Sequence, residues 1–264
     1  DIRAPADFAE KQYPVMFWIH GGGNTTGLKD FYDFSKMVVS QDVVVVTTNY
    51  RLSALGWFTH PAIQGLQQGL DKTSNFGTLD LIESLKWVQA NIGQFGGDAN
   101  NVTIFGESAG GHNVFTLLAS PLADGLFHRA ISQSGYTTSS SMADAYNREG
   151  ANQLIERGSW QIVEQITNSA SQLEQSDYST EELRSLLLGM DAAELMALYH
   201  DGSERFDSIP LTTADGVVVP EQGTLATLAS AEYAKNIPVS AGATIDEVAL
   251  WLAMHRYFME AKYY

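Results

Sequence analysis

The chain has 264 residues, 44% of them apolar and 17% charged, which is enough to bury a sizeable core. Its 31 acidic and 15 basic residues leave a formal charge of −16, which argues against nucleic-acid and anionic-membrane surfaces, since both require surplus Lys and Arg. With no cysteine, disulfide scaffolds, thiolate metal sites and a cysteine nucleophile are excluded, and no compartment is assigned. No apolar run approaches the ~18–20 residues of a membrane span. The opening Asp1-Ile2-Arg3-Ala4-Pro5 has no signal-peptide pattern and no Met, so a piece of a longer product is expected.

Two short apolar runs, 13–20 and 42–48, are expected to be strands buried on both faces, as in a parallel sheet. Residues 78–92 have helical spacing, with Leu81, Leu85, Val88 and Ile92 on one face. A Gly-, Asp- and Asn-rich turn is expected over 96–101. A strand at 102–105, a glycine-flanked turn at 106–111, a helix at 113–119 and a strand at 129–132 follow. This alternation argues for an α/β architecture.

The character changes over 141–200. Ser179 with Glu182 and Asp191 with Glu194 have the residue types of helix N-caps, and Leu183, Leu186 and Leu187 form a stripe. A packed helical insertion is expected there, with a gating lid as the alternative. Short strands at 216–220 and 237–242 and a helix at 246–260 complete the reading. No repeat, low-complexity tract or linker is present, so 1–264 is read as one domain.

The chemistry concentrates at Gly106-Glu107-Ser108-Ala109-Gly110-Gly111. A Gly-x-Ser-x-Gly between strand and helix suits a serine raised on a strained turn at a helix N-terminus, where developing negative charge is favoured. Read alone, the pattern also fits a plain glycine turn. His20-Gly21-Gly22-Gly23 follows the first strand and could present backbone N–H groups to an oxyanion, or be a flexible loop. Both motifs stand at C-terminal ends of strands, where open α/β sheets place their sites, and together they point to a serine hydrolase.

Further segments carry a resemblance. Asn49-Tyr50-Arg51-Leu52, Asn75-Phe76-Gly77-Thr78-Leu79-Asp80, Phe95-Gly96-Gly97-Asp98, Ser132-Gln133-Ser134-Gly135 and Asp246-Glu247 stand in one order with the two motifs above. In these the chain resembles the type-B carboxylesterases, the cholinesterase-like branch of the α/β-hydrolase fold, over about the middle half of a full-length member. The resemblance implies a mostly parallel sheet with helices on both faces, incomplete at both ends. It implies Ser108 as nucleophile, Gly22, Gly23 and Ala109 as oxyanion donors, and Glu247 as the acid that orients a histidine. Ser134 would support that acid, and Glu107 would place a second carboxylate beside the nucleophile, which in cholinesterases bears on cationic substrates. Arg51 and Asp80 match a structural ion pair. Without the resemblance, Asp246 and Glu247 read as an ordinary helix N-terminus.

The triad histidine should follow the acid, yet the single histidine after Glu247 is His255, eight residues on. On a helix that separation is about 12 Å, too far for the required hydrogen bond. The expectation is therefore that this histidine lies outside the chain, in a missing segment or a second chain, and that the fragment alone is inactive. Phe206 and Ile209 are expected to pack or to line an acyl pocket. The loop Asn24-Thr25-Thr26-Gly27 lacks the aromatics common in cholinesterases, which weighs against choline esters. The expected partner is a small-molecule ester, with no metal, cofactor or nucleic acid. The alternative is a non-catalytic cholinesterase-like binding or adhesion protein. Secretion or a periplasmic location is compatible with these features, which assign neither.

Overall fold

The computed structural model describes residues 1–148, 158–171, 173–199 and 211–247. In chain order β1 (Ile2–Arg3) and β2 (Tyr13–Ile19) precede α1 (Ser35–Gln41) and β3 (Val44–Thr47). Two single-turn helices, α2 (Ser53–Gly56) and α3 (Pro61–Gln64), lead to α4 (Phe76–Asn91). Next come β4 (Gly97–Glu107), α5 (Ala109–Ala119) and β5 (Arg129–Gln133). Then follow β6 (Ser140–Ser141), α6 (Met142–Tyr146), α7 (Ser159–Ser171), α8 (Thr180–Leu188) and α9 (Ala192–Tyr199). β7 (Thr213–Ala214), α10 (Gly223–Leu228) and β8 (Val239–Gly242) complete the described chain.

Six strands form one sheet in the order β1-β3-β2-β4-β5-β8. All neighbours run parallel except β1, which pairs antiparallel with β3. The runs of Val, Ile and Phe explain this arrangement, because a parallel sheet covered on both faces needs strands apolar on both sides. On one face Val15, Phe17, Ile19, Val44, Val46 and Ile104 pack against Leu81, Ile82, Leu85 and Val88 of α4 and Val114 and Leu117 of α5. Each such side chain contributes about 1.5–3 kcal/mol through burial. On the other face Val43 and Val45 meet Val38 of α1, and Trp18 packs edge-on or tilted among Phe34, Tyr32 and Phe105 with centroids 4.8–5.3 Å away. The chain steps from β2 to β3 on one side and returns to β4 on the other. A crevice at the carboxyl ends of β2 and β4 results, the usual ligand position in an open α/β sheet.

The insertion is packed. Ile162 and Ile166 of α7 and Tyr199 of α9 meet Ala54 of α2, while Val163 and Leu183 meet Ala62 of α3. Both expected caps form: Ser179 and Glu182 exchange hydrogen bonds as a capping box, and Asp191 accepts from the N–H groups of Ala193 and Glu194. The base of the insertion is pinned where β6 pairs with β7, Ser140 opposite Thr213 and Ser141 opposite Ala214. The Asn75 amide clamps the same point, donating to Thr213 O at 2.8 Å and accepting from Thr213 N at 2.9 Å.

Two expectations change, and a third falls almost wholly outside the described residues. The turn expected over 96–101 is taken into β4: Gly97 pairs with Tyr13 and Val102 with Val15, so 98–101 bulge out of the ladder. No strand forms over 216–220. The Asp215 carboxylate captures the N–H groups of Val217, Val218 and Val219 at 2.9–3.1 Å, leaving the run without ladder donors. Of the helix expected at 246–260, residues 245–247 form a turn and the remainder lies outside the described residues.

Candidate active site

Ser108 sits between the end of β4 and the start of α5 with φ +56° and ψ −121°, a backbone state that L side chains rarely adopt. Its N–H donates to Gln133 O at 2.8 Å and its carbonyl accepts from His112 N at 2.9 Å, so the turn is held from both sides. The flanking glycines are a steric necessity. A Cβ on Gly110 would lie 2.0 Å from Ile19 O, and one on Gly106 would lie 2.5 Å from the Gly110 backbone. The serine oxygen makes no hydrogen bond among the described residues.

The loop after β2 reaches this serine. A Cβ on Gly21 would lie 2.7 Å from Glu107 O and 3.2 Å from Ser108 Cβ, so the two motifs are in contact across the sheet. Gly22 and Gly23 have φ of +106° and +66°, and Thr26 N donates back to Gly22 O at 2.9 Å, curling the loop. Among the described residues no protein acceptor takes the N–H of Gly22, Gly23 or Ala109. The last of these belongs to the first turn of α5, whose positive dipole end faces the same space.

Two carboxylates stand nearby with opposite tendencies. Burial, reinforced by repulsion from Glu247, pushes the Glu107 carboxyl up. The Ser134 hydroxyl first, and then the Thr244 hydroxyl and N–H, hold the Glu247 carboxyl below the usual carboxylate range. Glu247 follows β8, and Ser134, at φ +53°, follows β5. The two strand ends are tied by Ser134 N donating to Gly242 O at 2.7 Å. Ser108, Gly22, Gly23, Ala109, Glu107, Ser134 and Glu247 are thus gathered at the carboxyl ends of β2, β4, β5 and β8. Arg51 and Asp80 form a two-pronged ion pair at 2.8 Å per contact on the rim of α4.

None of the four described histidine side chains bonds the Ser108 hydroxyl. His20 stacks on Tyr50 and pairs Nδ1 with Gly21 O at 2.9 Å, and His60 Nε2 lies 2.7 Å from Gln175 Oε1. His128 Nδ1 accepts from Val102 N, and His112 joins Tyr136 O and Thr212 Oγ1, each at 2.8 Å. His200, His255, Phe206 and Ile209 lie outside the described residues. Sequence reasoning missed Asn24 and Asn113, a buried amide pair beneath the glycine loop. Lone asparagines carry no periodic signal by which to find them.

Burial pushes the His112 imidazole down to about 4, and its bond to the Tyr136 carbonyl opposes this only in part. An unfolded histidine titrates near 6.5, so on acidification the unfolded chain takes the proton first. The resulting stability is whole above about pH 6.5 and is lost as pH falls toward 4, by about 3 kcal/mol. Urea midpoints followed from pH 7.5 to 4.5 should fall more gently in His112→Gln than in wild type. Parallel curves would assign the loss to other groups.

Among the described residues no group of three His, Cys, Asp or Glu is arranged to hold a metal, and no helix is long and apolar enough to cross a membrane. A family model described as "Carboxylesterase family" matches residues 1–262. Liver carboxylesterase 1 of Oryctolagus cuniculus is 41% identical over 224 residues, which is 84% of this chain and 37% of that protein. Cocaine esterase of Oryctolagus cuniculus is 48% identical over 148 residues, 53% of this chain and 26% of that protein. A crystal structure of a Geobacillus stearothermophilus carboxylesterase superposes with a TM-score of 0.78 at 31% identity, covering 99% of this chain and 51% of that one. The chain therefore spans well under half the length of the curated relatives it matches.

Proposed function

The chain belongs to the carboxylesterase family, with the α/β-hydrolase fold of its solved relatives, and from that premise we propose that its protein cleaves carboxylic esters through an acyl group on Ser108. The observation that carries this reading is the strained Ser108 elbow in contact with a glycine loop whose N–H groups are unclaimed. A base takes the proton of Ser108 Oγ, which attacks the ester carbonyl and forms a C–O bond. The carbonyl oxygen, now negative, is met by the N–H groups of Gly22, Gly23 and Ala109, each worth about 10²–10³ in rate. The C–O bond to the alcohol breaks as the base returns its proton to the leaving oxygen. Water then attacks the acyl-serine by the same route and releases the acid.

In this proposal Glu247, held ionised by Ser134 and Thr244, orients the base and balances its charge when protonated. In this reading the base is a histidine from a segment beyond this chain or from a second chain: the His20, His60, His112 and His128 side chains hold other partners, His200 precedes the acid, and His255 stands only eight residues after it. Glu107 beside the nucleophile favours a neutral or cationic ester over an anionic one. The unit 1–264 acts as one part of the catalytic domain.

Intact mass after treatment with a fluorophosphonate tests this directly. A chain of the relatives' full length should gain one adduct, on Ser108, and lose it in Ser108→Ala. A folded full-length chain that gains none would overturn the hydrolase reading in favour of a non-catalytic binding protein. An adduct on the 264-residue chain alone would instead overturn the placing of the base outside it.

A further inference from the structure

The three proposed oxyanion donors come from two bodies: Gly22 and Gly23 from the loop after β2, and Ala109 from α5. Such donors must lie within a few tenths of an ångström of about 2.9 Å from one oxygen, so the loop and the helix have to be registered against each other. Glycine, with its wide conformational freedom, cannot supply that register by itself.

A buried polar cluster joins the two bodies. Asn24 directly follows the glycines, Asn113 stands on the second turn of α5, and both are fully buried. Asn113 Nδ2 donates to Asn24 Oδ1 at 2.9 Å, and Asn24 Nδ2 donates to Asn113 Oδ1 at 3.3 Å. The Tyr50 hydroxyl lies 2.7 Å from His20 O and 3.1 Å from Asn24 Oδ1, so it braces both ends of the loop. Asn24 is itself held at φ +58°, and its carbonyl accepts from Ser53 N at 2.7 Å. Among the described residues this amide pair makes the only side-chain hydrogen bonds between the 20–27 loop and α5.

We propose that Asn24 and Asn113 are positioning residues, a reciprocal amide latch that registers the glycine loop on the nucleophile helix so that the Gly22, Gly23 and Ala109 N–H groups converge on one oxygen. This rests on the acyl-transfer reading above. Neither asparagine touches the reacting atoms. Apolar side chains of equal volume would fill the space as well but would tolerate sliding, whereas two antiparallel amide bonds permit one alignment. The transition state needs that alignment more than the bound ester does, so the latch acts on kcat.

Asn113→Leu keeps the volume and removes the bonds, and Asn24→Gly suits the positive φ while deleting the partner amide. In a chain of the relatives' full length, with p-nitrophenyl acetate, each variant should lose about tenfold or more in kcat with KM within about twofold. The double variant should be no worse than the poorer single, as expected of one coupled device. Asn113→Asp, which still accepts from Asn24 Nδ2, should recover part of the loss. Amide exchange gives a reading without turnover. The Thr26 and Ser53 N–H groups, which bond Gly22 O and Asn24 O, should exchange at least about tenfold faster in Asn113→Leu, with the α5 amides unchanged. Unchanged kcat, multiplying losses or unchanged exchange at those two amides would overturn the latch. Wild-type turnover no higher than that of Ser108→Ala would overturn the acyl-transfer reading instead, and the exchange rates would then decide the latch.

Discussion

Ser108→Ala is expected to lower hydrolysis of a short aryl ester by about 10³-fold or more in the competent protein, with little change in thermal midpoint. Alanine keeps the same Cβ at the same positive φ, so the backbone strain stays and the packing hardly changes. Glycine at this position separates function from strain. A non-glycine residue at φ +56° costs about 1–3 kcal/mol, and Ser108→Gly removes that cost together with the proposed nucleophile. The glycine variant should therefore be inactive and more stable than wild type by about 1 kcal/mol, read from urea midpoints. If Ser108→Ala hydrolysed the ester at the wild-type rate, another residue would be the nucleophile. If Ser108→Gly were no more stable, the elbow would not be storing strain.

Gly110→Ala should be the most destabilising of small substitutions near the site. The added Cβ would lie 2.0 Å from Ile19 O and 2.9 Å from His20 O, both backbone atoms at the end of β2. No rotamer change relieves a clash between two backbones, so α5 and β2 must separate along their length. That separation opens the core around Ile19, Val114 and Leu117, each fully buried, and about 3 kcal/mol or more of stability should be lost. Gly93→Ala provides the control: a Cβ there meets nothing within 4 Å, and its midpoint should stay within about 0.5 kcal/mol of wild type or rise slightly. Equal midpoints for the two variants would show that the crossing at Gly110 is looser than its geometry.

The same crossing explains what the sequence made legible. The cores of β2, β3 and β4 were readable because strands buried on both faces must be apolar throughout, and Val44 to Val46 or Ile104 and Phe105 have no other use. Ser108 and the glycines were readable because steric limits leave few residues that can stand there. The valines at 217–219 have the composition of a strand and do not form one. Apolar content reports burial, and Val218 and Val219 are indeed fully buried, but a single carboxylate at Asp215 decides whether their N–H groups are free to pair. Asp98, whose carboxylate accepts from Asn100 N at 2.9 Å, holds the bulge in β4 by an equally local device. Glu247 shows a different limit. Nothing in its neighbours distinguishes it from a helix-capping acid, and it was singled out by family resemblance alone. The short helices α2 and α3 have too few turns to show a period.

The clamp at the foot of the insertion gives this fold a seam. The chain leaves at Ser140 and Ser141 and comes back at Thr213 and Ala214, paired strand to strand, so exit and return stand about 5 Å apart whatever lies between them. Asn75 welds that seam to the end of the loop leading into α4. Because closing a loop costs only slowly more as it lengthens, the intervening stretch can be shortened, extended or exchanged for another without disturbing the register at its foot. The seam therefore fixes where the insertion begins and ends, while α2 and α3, whose Ala54 and Ala62 it covers, fix which surface any substitute for it would have to fill.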